Sequence, residues 1–301
     1  MIAAPPGGSV WNRALGWEIG YTTGRYRSRI IKAGSGPPLI LMHGQGGHVE
    51  NFVRNIAAFA QSYRVYAFDF LWHGLSGPAK FDDRLIPAFR DQFLDLLESE
   101  GIGSCVVVGQ SLGGWVASSL ASDGAGDRMN ALILVTPMGI EPDSTAAPTG
   151  AEARASLLRT SLEALDDPSL PNIRKRLARL VSDPSEIDDE MIAIRAAIYS
   201  RPETNASLRA VAQAYLGPDY RVGEFAVGPA ELARITTPTL VYWGTHNATP
   251  QSVGQAARAL LGDKNAEYHC AEAGHWAHYE KSGEFNATAL DFLKRRARST
   301  G

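Results

Sequence analysis

The sequence predicts an α/β fold, with a mostly parallel central sheet flanked by helices and an all-helical segment inserted into it. Three observations predict it. Strand-like apolar runs recur along the 301 residues, amphipathic helical stretches separate many of them, and between about 139 and 233 the alternation gives way to helices in succession.

The strand-like runs, in order, are "SRIIKA" (28–33), "PPLILMH" (37–43), "YRVYAFDF" (63–70), "CVVVGQ" (105–110), "ALILVTP" (131–137), "TPTLVYWG" (237–244) and "AEYHCAE" (266–272). Residues 105–108 and 131–135 lack polar alternation, as expected of central strands buried on both faces. "RLIPAFRDQFLDLLESEG" (84–101) places apolar residues at three- and four-residue spacing, a helix lying on the sheet. The insertion reads as four helices, "EARASLLRTSLEAL", "NIRKRLARLVS", "EIDDEMIAIRAAIYS" and "ASLRAVAQAYL", divided by proline-bearing breaks with acidic or Ser/Thr starts. The expected organisation is a core from 1–138 and 234–301, with a helical lid, 139–233, over the carboxyl edge of the sheet.

Composition narrows the function classes. With 45% hydrophobic and 20% charged residues the chain can bury a sizeable core. A net charge of −3 and one terminal basic cluster, "KRRAR" (294–298), give no footprint for nucleic acid or an acidic membrane. That cluster suits the carboxyl end of a last helix. Cys105 and Cys270 sit in apolar runs and read as buried free thiols. The start "MIAAPPGGSVWN" has neither a basic nor a continuous apolar stretch, and no run has the length of a membrane span. The expectation is a cytoplasmic protein taking a small-molecule substrate, with no nucleic-acid or membrane partner, no metal and no cofactor. Self-association as a homo-oligomer is left open.

The chemistry is concentrated at "CVVVGQSLGGW". A strand that turns abruptly into a helix strains its turn residue and pushes that side chain out of the sheet. Gly109 and Gly113, two positions either side of Ser111, let neighbouring backbone approach. Ser111 is thereby presented at a helix N-terminus, where free N–H groups favour developing negative charge. A Gly-x-Ser-x-Gly string alone also fits a loop serine; its place between a buried strand and a helix points to a nucleophile. In "LMHGQGGH" (41–48) a strand ends in a glycine-rich turn, so the backbone of Gln45 or Gly46 would join Leu112 as oxyanion donors. In "AEAGHWAHYE" (271–280), His275 follows the last strand, where a general base for Ser111 is needed. His48, His73, His246 and His278 have weaker claims.

Taken in order, "HGQGG", "DFLWHGLS", "GQSLGGW" and "GHW" resemble the α/β-hydrolase superfamily over nearly the whole chain. The resemblance implies a catalytic triad with Ser111 as nucleophile and His275 as base, and a helical lid at 139–233. Within the superfamily the chain is similar to meta-cleavage-product hydrolases, which split carbon–carbon bonds in ring-opened catechols. "GHWAHYE" is similar to that group's histidine loop, which implies a substrate-facing Trp276. "LVSDPSEIDDEMIAIR" resembles its lid segment, which implies that Arg195 contacts the acid end of a dienoate. Carboxylesterases acting on aryl carboxylate monoesters are also similar, and ester cleavage stands as the alternative reaction.

One position departs from the pattern. The acid expected after the penultimate strand falls, in "VYWGTHNATP", on Asn247. Asparagine offers His275 a carbonyl oxygen but no charge. Three readings stay open: a single change made in an intact motif to trap a ligand, a carboxylate supplied instead by Glu141 or Asp143, or a hydrolase-fold ligand-binding protein with little turnover.

Overall fold

A computed structural model describes residues 9–142, 151–218 and 224–297. Its core is an eight-stranded sheet in the order β1-β2-β4-β3-β5-β6-β7-β8. The strands are β1 Glu18–Tyr21, β2 Arg29–Ala33, β3 Pro38–Met42, β4 Arg64–Phe68, β5 Cys105–Gln110, β6 Met129–Val135, β7 Thr239–Gly244 and β8 Ala266–Ala271. The pairs β1–β2 and β2–β4 are antiparallel; from β4 through β8 every pair is parallel.

The sequence runs at β2 to β8 become strands for the reasons given, although β4 ends at Phe68 rather than Phe70. β6 ends at Val135 rather than Pro137, because Thr136 leaves the sheet with a φ of 40°. β1 was not anticipated: it is a four-residue edge strand, mostly exposed, too short and too polar to show a period. Alternate residues feed the two faces of the sheet. On β3, Ile40 and Met42 pack with Phe89 and Phe93 of the helix Leu85–Ser99 and Trp115 of the helix Leu112–Ser122. Leu39 and Leu41 pack on the opposite face with Phe59, Phe285 and Phe292.

Between β6 and β7 the chain forms the helices Ala151–Asp166, Leu170–Ala178, Asp189–Tyr199 and Pro202–Leu216. They sit on the loops at the carboxyl ends of the core strands. Ile173, Leu177, Met191, Ile192 and Tyr199 bury against Val53, Trp276 and Tyr279 of the core. Arg54 donates to Glu186 and Asp188 on one side and to the carbonyl of Tyr279 on the other.

The last helix, Ser282–Arg296, carries the basic cluster at its end, with Arg295 paired to Glu267 and Asp291. Both cysteines are free thiols. Cys105 is buried, and burial pushes it up to about 12. Cys270 is only half-buried, since it lies on the last strand of the sheet. Among the described residues no helix is long and apolar enough to cross a membrane.

Candidate active site

Ser111 occupies the turn between β5 and the helix Leu112–Ser122, with φ 53° and ψ −113°. An L-residue reaches this region only when its surroundings insist. They do: the Ser111 N–H donates to Val135 O at 3.0 Å, and the Ser111 carbonyl accepts from Trp115 and Met138 at 3.0 and 3.1 Å. The flanking glycines permit the turn. A Cβ on Gly113 would lie 2.2 Å from the Met42 carbonyl, and one on Gly109 would lie 2.5 Å from the Gly113 carbonyl. The Leu112 N–H is the first of its helix and has no intrahelical acceptor.

The second wall comes from the turn after β3. His43 Nε2 accepts the Phe70 N–H at 3.0 Å, so the ring proton is on Nδ1, which donates to the Gly44 carbonyl at 2.7 Å. The Gly47 N–H donates to the same carbonyl at 2.9 Å. Because a trans peptide points its C=O and N–H in opposite directions, pinning Gly44 O sends the Gln45 N–H the other way. Gln45 stands in the wall of the cavity that contains Ser111. Gly46 is held behind it, its carbonyl accepting from the Tyr199 hydroxyl at 3.0 Å. Of the two backbone donors considered from sequence, Gln45 is therefore the better placed.

His275 lies on the loop after β8. Its carbonyl accepts from Thr136 Oγ1 at 2.7 Å and Gln110 Nε2 at 3.3 Å, which fixes the loop against the ends of β5 and β6. Its Nδ1 faces Asn247 Oδ1 at 2.9 Å. An amide oxygen only accepts, so the proton is on Nδ1 and Nε2 carries the lone pair. No hydrogen bond joins Ser111 to His275 among the described residues, although both line one cavity; such pairs are often loose before substrate aligns them. No hydrogen bond from Glu141 reaches His275 among the described residues, and Asp143 lies outside them.

The cavity opens to solvent and is lined by Ser111, His275, Asn247, Gln45, Asn51 and Trp276, together with Arg176 and Arg179. Arg195 stands behind this wall. It is buried, donates to Asn51 Oδ1 at 2.9 Å, and its guanidinium carbon lies 5.6 Å from the centre of the Trp276 ring.

Sequence reasoning missed three residues here. Arg176 sits in "RKRLAR", which reads as a solvated basic face, yet it is 9% exposed. Asn51 lies beyond the glycine turn with no motif to mark it. Glu280 ends "GHWAHYE": its buried carboxylate accepts from the N–H groups of Gly274, Ser182 and Asp183 and from the Ser182 hydroxyl. It clamps the helical insert to the histidine loop, and the Trp276 N–H adds a bond to Leu180 O at 2.6 Å.

Electrostatically the site favours neutral imidazoles. Burial, helped by the nearby Arg176 guanidinium, pushes His275 down to about 4. Burial likewise holds His48 and His73 at about 4, His278 at about 3 and His43 well below its usual range. His48 Nδ1 pairs with Glu50, which also receives Arg29. His246, the exposed neighbour of Asn247, pairs instead with Glu272. A stability prediction follows from these directions. In the unfolded chain a histidine binds its proton near 6.5, whereas the folded protein resists protonation down to about 4. Each such group removes about 3 kcal/mol as pH falls from 6.5 to 4, before relaxation. Buried Asp69, pushed up to about 6 by burial, works the other way, but it is one group against five. Thermal unfolding should therefore show Tm dropping steeply across that window. A flat Tm from pH 6.5 to 4 would contradict the buried neutral histidines.

Comparison with known proteins agrees with this architecture. The profile described as the alpha/beta hydrolase family matches residues 39–288. The 2-hydroxy-6-oxo-6-phenylhexa-2,4-dienoate hydrolase of Comamonas testosteroni is 30% identical over 272 residues, covering 88% of this chain and 90% of that protein. A 2-hydroxy-6-oxononadienedioate/2-hydroxy-6-oxononatrienedioate hydrolase from a Pseudomonas species is 30% identical, covering 88% and 91%. Among solved structures, the 2-hydroxy-6-oxo-6-phenylhexa-2,4-dienoate hydrolase from a Rhodococcus species superposes with a TM-score of 0.79 at 23% identity, covering 92% of this chain and 99% of that one. The enol-lactonase from Burkholderia xenovorans reaches 0.72 at 21% identity, covering 91% and 99%. At those identities the two superpositions speak for the fold. With the profile spanning most of the chain and curated relatives along nearly nine-tenths of it, this protein belongs to the alpha/beta hydrolase family and is an enzyme of that family.

Proposed function

We propose that this enzyme hydrolyses a carbon–carbon bond in a small, carboxylate-bearing product of aromatic ring opening, the reaction type named for its curated relatives. The observation that carries this reading is a cavity lined by Ser111, His275 and two arginines, Arg176 and Arg179, and by no aspartate or glutamate among the described residues. Such a cavity suits an anionic substrate and a neutral base. The helices between β6 and β7 would act as its lid.

In this scheme a 2-hydroxy-6-oxo-dienoate binds with its acid end toward Asn51, Trp276 and Arg195 behind them. The 2-hydroxyl proton is transferred to C5, giving the diketo form, with His275 assisting. Ser111 then attacks the C6 carbonyl, or activates a water to do so, and His275 Nε2 takes the proton released. The oxyanion that forms lies against the N–H groups of Leu112 and Gln45. When the C5–C6 bond breaks, its electrons pass to C5 and into the conjugated 2-oxo group, and His275 returns the proton. Water completes the balance, yielding a carboxylic acid and a hydroxydienoate.

The test is a substrate panel of ring-fission dienoates, monoaryl carboxylate esters and p-nitrophenyl esters. Dienoates should give the highest kcat/KM; preference for esters with inert dienoates would favour the carboxylesterase alternative. Asn247 favours a second reading, a low-turnover binder, which would show neither a burst of p-nitrophenol nor turnover on any member. Within the panel, Arg195→Ala should weaken carboxylate-bearing substrates by about 1–3 kcal/mol, the scale of a charge-assisted hydrogen bond, and spare neutral esters. Equal losses on both would reduce Arg195 to a support for the lid.

A further inference from the structure

On the helix Asp189–Tyr199, Arg195 and Tyr199 lie four residues apart and therefore on one face. Both are buried, and both reach the segment that follows β3. Arg195 Nη2 donates to Asn51 Oδ1 at 2.9 Å, and the Tyr199 hydroxyl donates to the Gly46 carbonyl at 3.0 Å. Arg195 Nη1 approaches the same hydroxyl oxygen at 3.5 Å, on the side left free to accept. Tyr199 is 5% exposed and stands behind the cavity wall, so its hydroxyl acts only through what it holds.

What it holds is a peptide plane. Gly46 sits at φ 69°, and a Cβ there would lie 2.7 Å from the Tyr199 oxygen, so turn and helix are fitted to each other at this contact. The Gly46–Gly47 peptide turns its carbonyl to Tyr199 and, being trans, its N–H the opposite way. That Gly47 N–H reaches the Gly44 carbonyl at 2.9 Å. The Gly44 carbonyl is in turn the far end of the peptide whose N–H belongs to Gln45. Each plane thus fixes the next, from the Tyr199 hydroxyl to the Gln45 N–H. His43 Nδ1 also donates to Gly44 O, at 2.7 Å, so the Gly44–Gln45 peptide has a second hold. Among the described residues the Gly46 carbonyl has Tyr199 alone.

We infer that Tyr199 is a positioning residue: its hydroxyl holds the glycine turn in the peptide orientation that aims the Gln45 N–H at the oxyanion. One helix then governs both ends of the site, the carboxylate anchor through Arg195 and the oxyanion donor through Tyr199. This rests on the serine and oxyanion reading above and deepens it.

Calorimetric titration with benzeneboronate and benzoate tests this without turnover. Ser111 Oγ adds to the boron, which becomes tetrahedral and anionic, and the Oγ proton leaves through His275 Nε2 to water. One boron-bound oxygen then takes the oxyanion position. Benzoate stays planar and forms no such adduct. Phenylalanine at 199 keeps the ring in its apolar cluster and removes only the hydroxyl. Losing an oxyanion donor outright costs about 10²–10³-fold, and His43 still holds Gly44 O, so Tyr199→Phe should weaken benzeneboronate by about 10–100-fold. Benzoate should stay within about threefold. A dissociation constant is read from folded protein only, so a lower active fraction cannot imitate this split.

Equal losses for both ligands would overturn the inference, because the hydroxyl would then support only the carboxylate anchor. Benzeneboronate binding that is lost in Ser111→Ala but unchanged in Tyr199→Phe would also overturn it, and the serine reading would stand. Benzeneboronate bound equally by the unaltered protein and Ser111→Ala would remove both together. If dienoates prove inert yet the boronate loss follows the Tyr199 hydroxyl, the carbon–carbon reading fails and the positioning role stands.

Discussion

Replacing Ser111 with alanine is expected to lower kcat by about 10³–10⁶-fold, the range over which removal of a serine nucleophile acts in other hydrolases. The fold should be untouched. The strained turn at φ 53° is imposed by backbone hydrogen bonds through Val135, Trp115 and Met138, none of which involves the hydroxyl. Alanine keeps the Cβ and therefore the same backbone cost, and Gly44, whose own Cβ would lie 3.1 Å from that of Ser111, still clears it. On the proposed mechanism, what disappears is the Oγ that either attacks or activates water. The donors at Leu112 and Gln45 remain, so residual rate above the uncatalysed reaction is expected. Turnover of the preferred substrate and Tm should be measured together. Residual kcat within tenfold of the parent, with Tm unchanged, would remove Ser111 from the chemistry.

How far the sequence alone could be read depended on what each element needed from its neighbours. β5 was legible to the residue because a strand buried on both faces is an uninterrupted apolar run, and the serine turn was legible because backbone clashes at Gly109 and Gly113 can be argued without knowing the fold. The inserted helices announced themselves through Pro and Ser/Asp starts at Ser169, Asp188 and Pro202. β1 escaped because an exposed edge strand of four residues has no pattern of its own. Arg176 escaped for the opposite reason: in "RKRLAR" it looks like its exposed neighbours Arg174, Lys175 and Arg179, and only tertiary packing turns one residue of that stripe inward. Asn51 and Glu280 act by reaching across to Arg195 and to Ser182, contacts between segments far apart in sequence, which spacing cannot show.

The exchange of Asn247 for aspartate is the second large effect, and here the expected change is a gain. Asn247 already presents Oδ1 to His275 Nδ1 at 2.9 Å, so orientation and tautomer are those a triad requires. Only charge is missing. As it stands, His275 sits in a buried site beside Arg176 and is held at about 4, so accepting a proton from Ser111 creates an imidazolium that nothing nearby stabilises. An aspartate of nearly the same shape would place a negative charge on Nδ1 and raise the imidazole toward the neutral range, against the opposing field of Arg176. Loss of this charge in serine proteases costs about 10⁴ in kcat, which sets the upper scale; a gain of about 10²–10⁴ is expected here, with KM little changed. The pH profile should change with it. The parent, whose base is neutral above about 4, should show activity flat from pH 5 to 8, whereas Asn247→Asp should acquire an acidic limb as its histidine begins to protonate near neutrality. A carboxylate supplied by Glu141 would give a different result: substantial activity before the exchange, lost on Glu141→Gln. A binding protein would gain neither rate nor limb. An unchanged kcat in Asn247→Asp, from a parent already fast, would defeat the missing-charge account, because the one group that could have supplied the field at Nδ1 would have been shown to be unnecessary.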